Sequence, residues 1–160
     1  MRKSFVLVLV LLLAACGFQL RGAHPLPFAS LYVPADTWET GALLKRQIRA
    51  LGGTQLPETP QEAQAVFTLL GEAQEKVILS LSAAGRVREY QLRYRLAFKV
   101  HDLKSKEYIA PTEIVLVRDI SFSDDQVLAK GHEEALLYRD MRNDMVQQLM
   151  RRLAAAKVEG

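Results

Sequence analysis

The sequence predicts an α+β fold in which two helices pack on one face of a small, about four-stranded mixed sheet, in the order β-α-β-β-β-α. Three observations carry this. From Tyr90 to His101 apolar and polar residues alternate strictly. Tyr90, Leu92, Tyr94, Leu96, Phe98 and Val100 fall on one face, and Gln91, Arg93, Arg95, Ala97, Lys99 and His101 on the other. That is the period of a strand with one buried and one wet side. Towards the C-terminus Leu137, Met141, Met145, Leu149 and Leu153 recur every fourth residue, the stripe of an amphipathic helix. Turn residues divide the rest into short runs, and two helices on one sheet face is the simplest cover for their apolar sides.

Taken in order, Leu31-Tyr32-Val33 stopped by Pro34 reads as an edge strand. Asp36, Thr37 and Thr40 offer helix N-caps, and Leu44, Ile48 and Leu51 follow at helical spacing. Gly52-Gly53 ends that helix, and Pro57 and Pro60 mark a loop. An extended run covers about 66–82, with a bulge expected at Gly71. Ala83-Ala84-Gly85-Arg86 is a turn with Gly85 as its positive-φ residue. After the alternating strand and a polar turn at 102–107, residues 108–122 read as a third long strand, broken early by Pro111. Ser123 and Gln126 fit a capping box, and Gly131 is expected to delay the last helix to about His132.

The N-terminus stands apart. Arg2 and Lys3 precede an apolar run from Phe5 to Ala15, and such a basic head, short apolar run and small-residue end make a secretory signal. The run is well under the roughly 20 residues that span a bilayer. It divides the chain into a signal peptide at 1–15 that is removed, a tether at 16–28, a single domain at 29–156 and a tail at 157–160. The whole chain of 160 residues carries 21 Lys and Arg against 18 Asp and Glu, a net +3. Removing 1–15 takes away two cations and no acid, leaving +1 over 145 residues. Nucleic acid drops out as a partner, by charge and by compartment.

Leu13-Ala14-Ala15-Cys16 resembles the lipobox of bacterial lipoproteins. The resemblance implies cleavage before Cys16, a diacylglyceryl thioether on its sulfur and an acyl chain, such as palmitate, on its new amino group. Cys16 is the only cysteine, so no intramolecular disulfide can form, whereas several acyl chains anchor stably. Gly17 stands where an inner-membrane retention signal would place Asp, which points to the outer membrane.

Catalytic machinery is scarce. His132-Glu133-Glu134-Ala135-Leu136 has leucine where a zinc-protease motif needs its second histidine, and there is neither a G-x-S-x-G elbow nor a P-loop. No catalytic residue, metal or cofactor is expected, and the protein reads as a non-enzyme. The candidate site is basic. Arg86 and Arg88 flank the hairpin tip, and Arg93, Arg95 and Lys99 line the wet strand face over about 20 Å. Arg forks onto phosphate, so these residues can suit an anionic, phosphate-bearing ligand; residue types alone favour a solvated sheet face whose cations discourage aggregation.

Cys16-Gly17-Phe18-Gln19-Leu20-Arg21-Gly22, the Gly85 hairpin running into Arg88-Glu89-Tyr90-Gln91-Leu92, Asp124-Asp125-Gln126-Val127-Leu128-Ala129-Lys130, and the helix from Arg139-Asp140-Met141 to Arg152-Leu153 together resemble the LPS-assembly lipoprotein family LptE. The resemblance spans nearly the whole mature chain. It implies an outer-membrane lipoprotein, periplasm-facing and seated as a plug in the lumen of the LptD β-barrel, that helps insert lipopolysaccharide into the outer leaflet. It also implies ligand contact through the lysine of Leu-Ala-Lys, here Lys130, and through basic residues at the hairpin, here Arg86 and Arg88, with Arg93 and Arg95 ranked lower. At the tip this chain has Ala83 where the family pattern places a cation. The alternative from the residues alone is a freestanding envelope lipoprotein that binds another anionic polymer.

Overall fold

The computed structural model describes residues 25–34 and 38–158. The signal segment, Cys16 and the caps expected at Asp36 and Thr37 lie outside the described residues. Within them runs β1 (Leu31–Tyr32), α1 (Glu39–Leu51), a single 3-10 turn (Pro60–Glu62), β2 (Ala65–Leu81), β3 (Val87–His101), β4 (Glu107–Ser121), a second 3-10 turn (Asp124–Gln126) and α2 (Val127–Ala154). The sheet order is β1-β2-β3-β4. β1 pairs parallel with β2, and the other pairs are antiparallel. This is the expected α+β fold with a mixed sheet.

The alternation of β3 decides where the core lies. Leu92, Tyr94, Leu96, Phe98 and Val100 are all fully buried, and their cross-strand partners set the same face on β2 and β4. Leu44 and Ile48 of α1, and Met141, Met145, Val146, Leu149 and Leu153 of α2, join them in one cluster. Trp38, Phe67 and Phe98 form a stack with centroids 5.2 and 5.1 Å apart and planes within 5°. Leu26 and Phe28 also sit in this cluster, so the end of the stretch read as a tether is packed.

Two irregularities follow from single residues. The register slips between Leu69 and Gly71, the bulge expected there. On β4, Phe98 faces Thr112 and Val100 faces Ile109, so Ala110 and Pro111 together oppose Lys99. The strand is therefore continuous rather than broken, because an edge-strand bulge accommodates proline's missing N–H. At the β2–β3 turn Gly85 has φ +75°, a left-handed conformation that costs glycine nothing.

Two expectations about helix ends need correcting. Thr40 caps nothing; it is buried one residue inside α1 and hydrogen-bonded to the sheet. α2 begins at Val127, not His132, and Ser123 forms no side-chain cap. Gly131 lies inside the helix because one glycine costs only about 1 kcal/mol against alanine. A Cβ placed on Gly131 meets nothing within 4 Å. Gly131→Ala is therefore expected to stabilise the protein by roughly 0.5–1 kcal/mol, measured by denaturant unfolding.

Candidate functional site: the distal end of the sheet

The β2–β3 hairpin is closed by Ser82 N–H donating to the Arg86 carbonyl at 2.7 Å and Gly85 N–H to the Ser82 carbonyl at 2.9 Å. This tight turn puts Arg86 and Arg88 at the end of the sheet. The chain leaving β4 returns to the same place, where Phe122 N–H donates to the Arg88 carbonyl at 2.7 Å. The first turn of α2 then brings Lys130, whose ammonium donates to Ser121 Oγ at 3.0 Å and Glu133 at 2.8 Å. Arg86 lies 3.9 Å from Asp124, with both side chains well exposed, so the pair is worth little and leaves the guanidinium open to a ligand. Residues far apart in sequence thus converge on segment 121–124. Between them lies a groove of about 450 Å³ lined by Ser80, Leu81, Arg88, Glu89, Ser121 and Phe122.

Exposed aliphatic side chains stand beside two of these cations, Leu81 in a groove with Arg88 and Val127 in a pocket with Lys130. Ile78, Leu81, Val127 and Leu128 are all exposed, Leu128 by 85%. Cations interleaved with bare aliphatics form a surface with two affinities, one for anions and one for hydrocarbon.

Arg93 and Arg95 do not belong to this end. By strand rise they lie about 16–23 Å from Arg88, on the face away from the helices. Arg95 sits between Glu75 at 3.7 Å and Glu113 at 3.3 Å. Arg93 donates to Gln91 at 2.8 Å, and Gln91 donates to Asp119 at 3.1 Å. The basic strip is interleaved with carboxylates from β2 and β4, forming a polar mesh across the sheet face.

Lys76, Tyr90, Phe122 and Glu134 are parts of the distal end that the sequence did not single out. The Lys76 ammonium pairs with Glu134 at 2.6 Å while lying 4.2 Å above the Tyr90 ring. Phe122 meets Tyr90 edge-on at 5.3 Å. Only the pairing of Ile78 with Tyr90 and the overhang of α2 bring these together, and no local pattern reports that.

A second polar cluster fixes the helices on the sheet. Glu72 accepts hydrogen bonds from the hydroxyls of Thr40 and Tyr94 and, at 3.0 Å, from Glu39 N–H. Thr40 Oγ1 and Tyr94 OH are 2.6 Å apart. Arg142 of α2 reaches back to Glu39. Burial, then the Glu72 carboxylate, pushes the Tyr94 phenol up to about 12. Tyr138 OH donates to the Glu75 carbonyl at 2.8 Å, and burial with Glu134 and Glu75 nearby raises its pKa also.

This fold is one that solved lipoproteins share. The solution NMR structure of uncharacterized lipoprotein B from Nitrosomonas europaea superimposes with a TM-score of 0.75 at 39% identity, over 87% of this chain and 91% of that one. The crystal structure of rare lipoprotein B from Shewanella oneidensis gives 0.66 at 26% identity, over 79% and 92%. The chain belongs to the lipopolysaccharide-assembly family LptE, whose profile matches residues 28–153. Among curated relatives, the LPS-assembly lipoprotein LptE of Pectobacterium atrosepticum is 29% identical over 94% of this chain and 85% of its own length. That of Yersinia enterocolitica is 27% identical over 90% and 70%.

Proposed function

We propose that this protein is a non-catalytic lipoprotein, anchored in the outer membrane through lipidated Cys16. It plugs the lumen of an LptD-type β-barrel and offers its distal end to lipopolysaccharide. The observation that carries the ligand reading is the convergence of Arg86, Arg88 and Lys130 on segment 121–124 among exposed Ile78, Leu81, Val127 and Leu128. Lipopolysaccharide presents phosphates beside acyl chains, which matches the two affinities of this surface.

The plug reading draws on family membership and on the polar face of the sheet. Large barrels have wet, polar interiors, and the mesh of Arg93, Arg95, Glu75, Glu113, Gln91 and Asp119 is the surface such a lumen accepts. No described helix is long and apolar enough to cross a membrane; in this reading the acyl chains on Cys16 provide the attachment, where two or more hold durably.

Tagged protein extracted in mild detergent at native abundance is expected to carry a large β-barrel with it. Recovery of the protein alone would reject the plug and favour a freestanding lipoprotein.

A further inference from the structure

The first half of α2 is held differently from the second. Its buried residues are Met141, Met145, Val146, Leu149 and Leu153, all in the C-terminal half. Its N-terminal half reaches the sheet end through Lys130 to Ser121, Glu134 to Lys76 and Tyr138 to the Glu75 carbonyl, while Leu137 and Tyr138 pack only part-buried against the core. Held off by these side chains, the helix leaves a pocket of about 150 Å³ beneath it. Tyr90, Ile120, Phe122 and Val127 supply the apolar lining, and Lys76 and Glu134 stand at it as an ion pair. An apolar protein cavity of roughly this volume takes a guest the size of benzene. A guest that is hydrocarbon at one end and anionic at the other fits best. Its chain contacts the rings, and its anion meets Lys76 and Lys130, which line the same pocket.

We infer that this pocket is an acyl-chain site: it receives the hydrocarbon of a phosphate-bearing amphiphile whose phosphate lies among the distal cations. Lys76 covers it. Its ammonium rests 4.2 Å over the Tyr90 ring, so an entering chain displaces a cation from an aromatic face and exchanges that contact for a phosphate. Ile78, exposed and paired with Tyr90 across the strands, continues the apolar surface outward for the rest of the chain. Gly131 lines the same pocket, and a Cβ placed on it meets nothing within 4 Å.

The inference rests on the distal end being the lipopolysaccharide site, and its test is separable from that reading. The mature chain with Cys16→Ser, which cannot carry the thioether-linked lipid, is titrated by NMR with octyl phosphate and separately with inorganic phosphate. Octyl phosphate is expected to bind more tightly and to shift the signals of Tyr90, Ile120, Phe122 and Val127. Inorganic phosphate should shift only signals around Arg88 and Lys130. Val127→Trp fills the pocket from a half-exposed position that tolerates a large side chain. It should weaken octyl phosphate by about tenfold, the equivalent of leaving about two methylenes unburied, and leave inorganic phosphate unchanged. Val127→Ala should bind octyl phosphate close to wild type. Octyl phosphate that binds no tighter than inorganic phosphate, or equally well to Val127→Trp, would overturn the acyl site. Failure of the underlying reading would show elsewhere, as lipopolysaccharide binding that survives charge reversal at Arg86, Arg88 and Lys130.

Discussion

Phe67→Ala is expected to cost about 3–5 kcal/mol, the usual range for removing a fully buried aromatic. Phe67 is 0% exposed and is the middle ring of the Trp38–Phe67–Phe98 stack. Its loss opens a cavity between two rings that cannot both move in, since Phe98 is fixed in β3 and Trp38 donates its indole N–H to the Pro34 carbonyl at 2.6 Å. For a domain of this size the melting temperature should fall by roughly 10–20 °C. Val77→Ala, on the exposed face of β2, should change stability by no more than about 0.5 kcal/mol. Thermal unfolding of the two variants checks both values. A Phe67→Ala protein that melts near wild type would mean the stack is not the centre of the core.

Tyr94 gives the second large effect, and it depends on pH. Its phenol titrates near 12 in the folded protein, against the ordinary value of 10. The fold therefore favours the neutral form. The associated stability is complete below about pH 10, where folded and unfolded tyrosine are both protonated, and is lost as the pH rises through 10 towards 12. A shift of this size corresponds to something of the order of 2–3 kcal/mol. Wild type should thus lose stability steeply above pH 10, and Tyr94→Phe should flatten that alkaline limb. At neutral pH, Tyr94→Phe should cost only about 1 kcal/mol, because Thr40 still donates to Glu72. Glu72→Leu should cost more, because the Thr40 and Tyr94 hydroxyls both lose their shared acceptor in a buried setting. Unfolding free energies between pH 7 and 11.5 test the sign: an alkaline limb as steep in Tyr94→Phe as in wild type would contradict it.

Much of the fold was legible because period-2 and period-3.6 patterns are local. β3 alternates without a fault, the i+4 stripe of α2 falls on its buried residues from Met141 onward, and Gly85 and Gly71 mark a turn and a bulge that only the backbone requires. What escaped was decided across distance. Gly131 suggested a helix end, yet a penalty of about 1 kcal/mol is small beside the packing of a 28-residue helix. Thr40 has the chemistry of a cap but pairs instead with Glu72, 32 residues away. Arg93 and Arg95 looked like one basic strip because the acids that interleave with them sit on neighbouring strands. At the candidate site the cations of the hairpin and of Leu-Ala-Lys could be named from sequence. The Lys76–Glu134 pair, 58 residues apart, could not.

The two groups of arginines turn this contrast into a direct test of where lipopolysaccharide binds. Purified lipopolysaccharide is titrated against wild type, Arg86→Glu/Arg88→Glu/Lys130→Glu and Arg93→Glu/Arg95→Glu, with melting curves to establish that each is folded. Loss of binding in the distal triple variant and near-normal binding in the sheet-face double variant is the expected result. Binding that survives in the triple variant, or falls as far in the double variant, would contradict a distal lipopolysaccharide site.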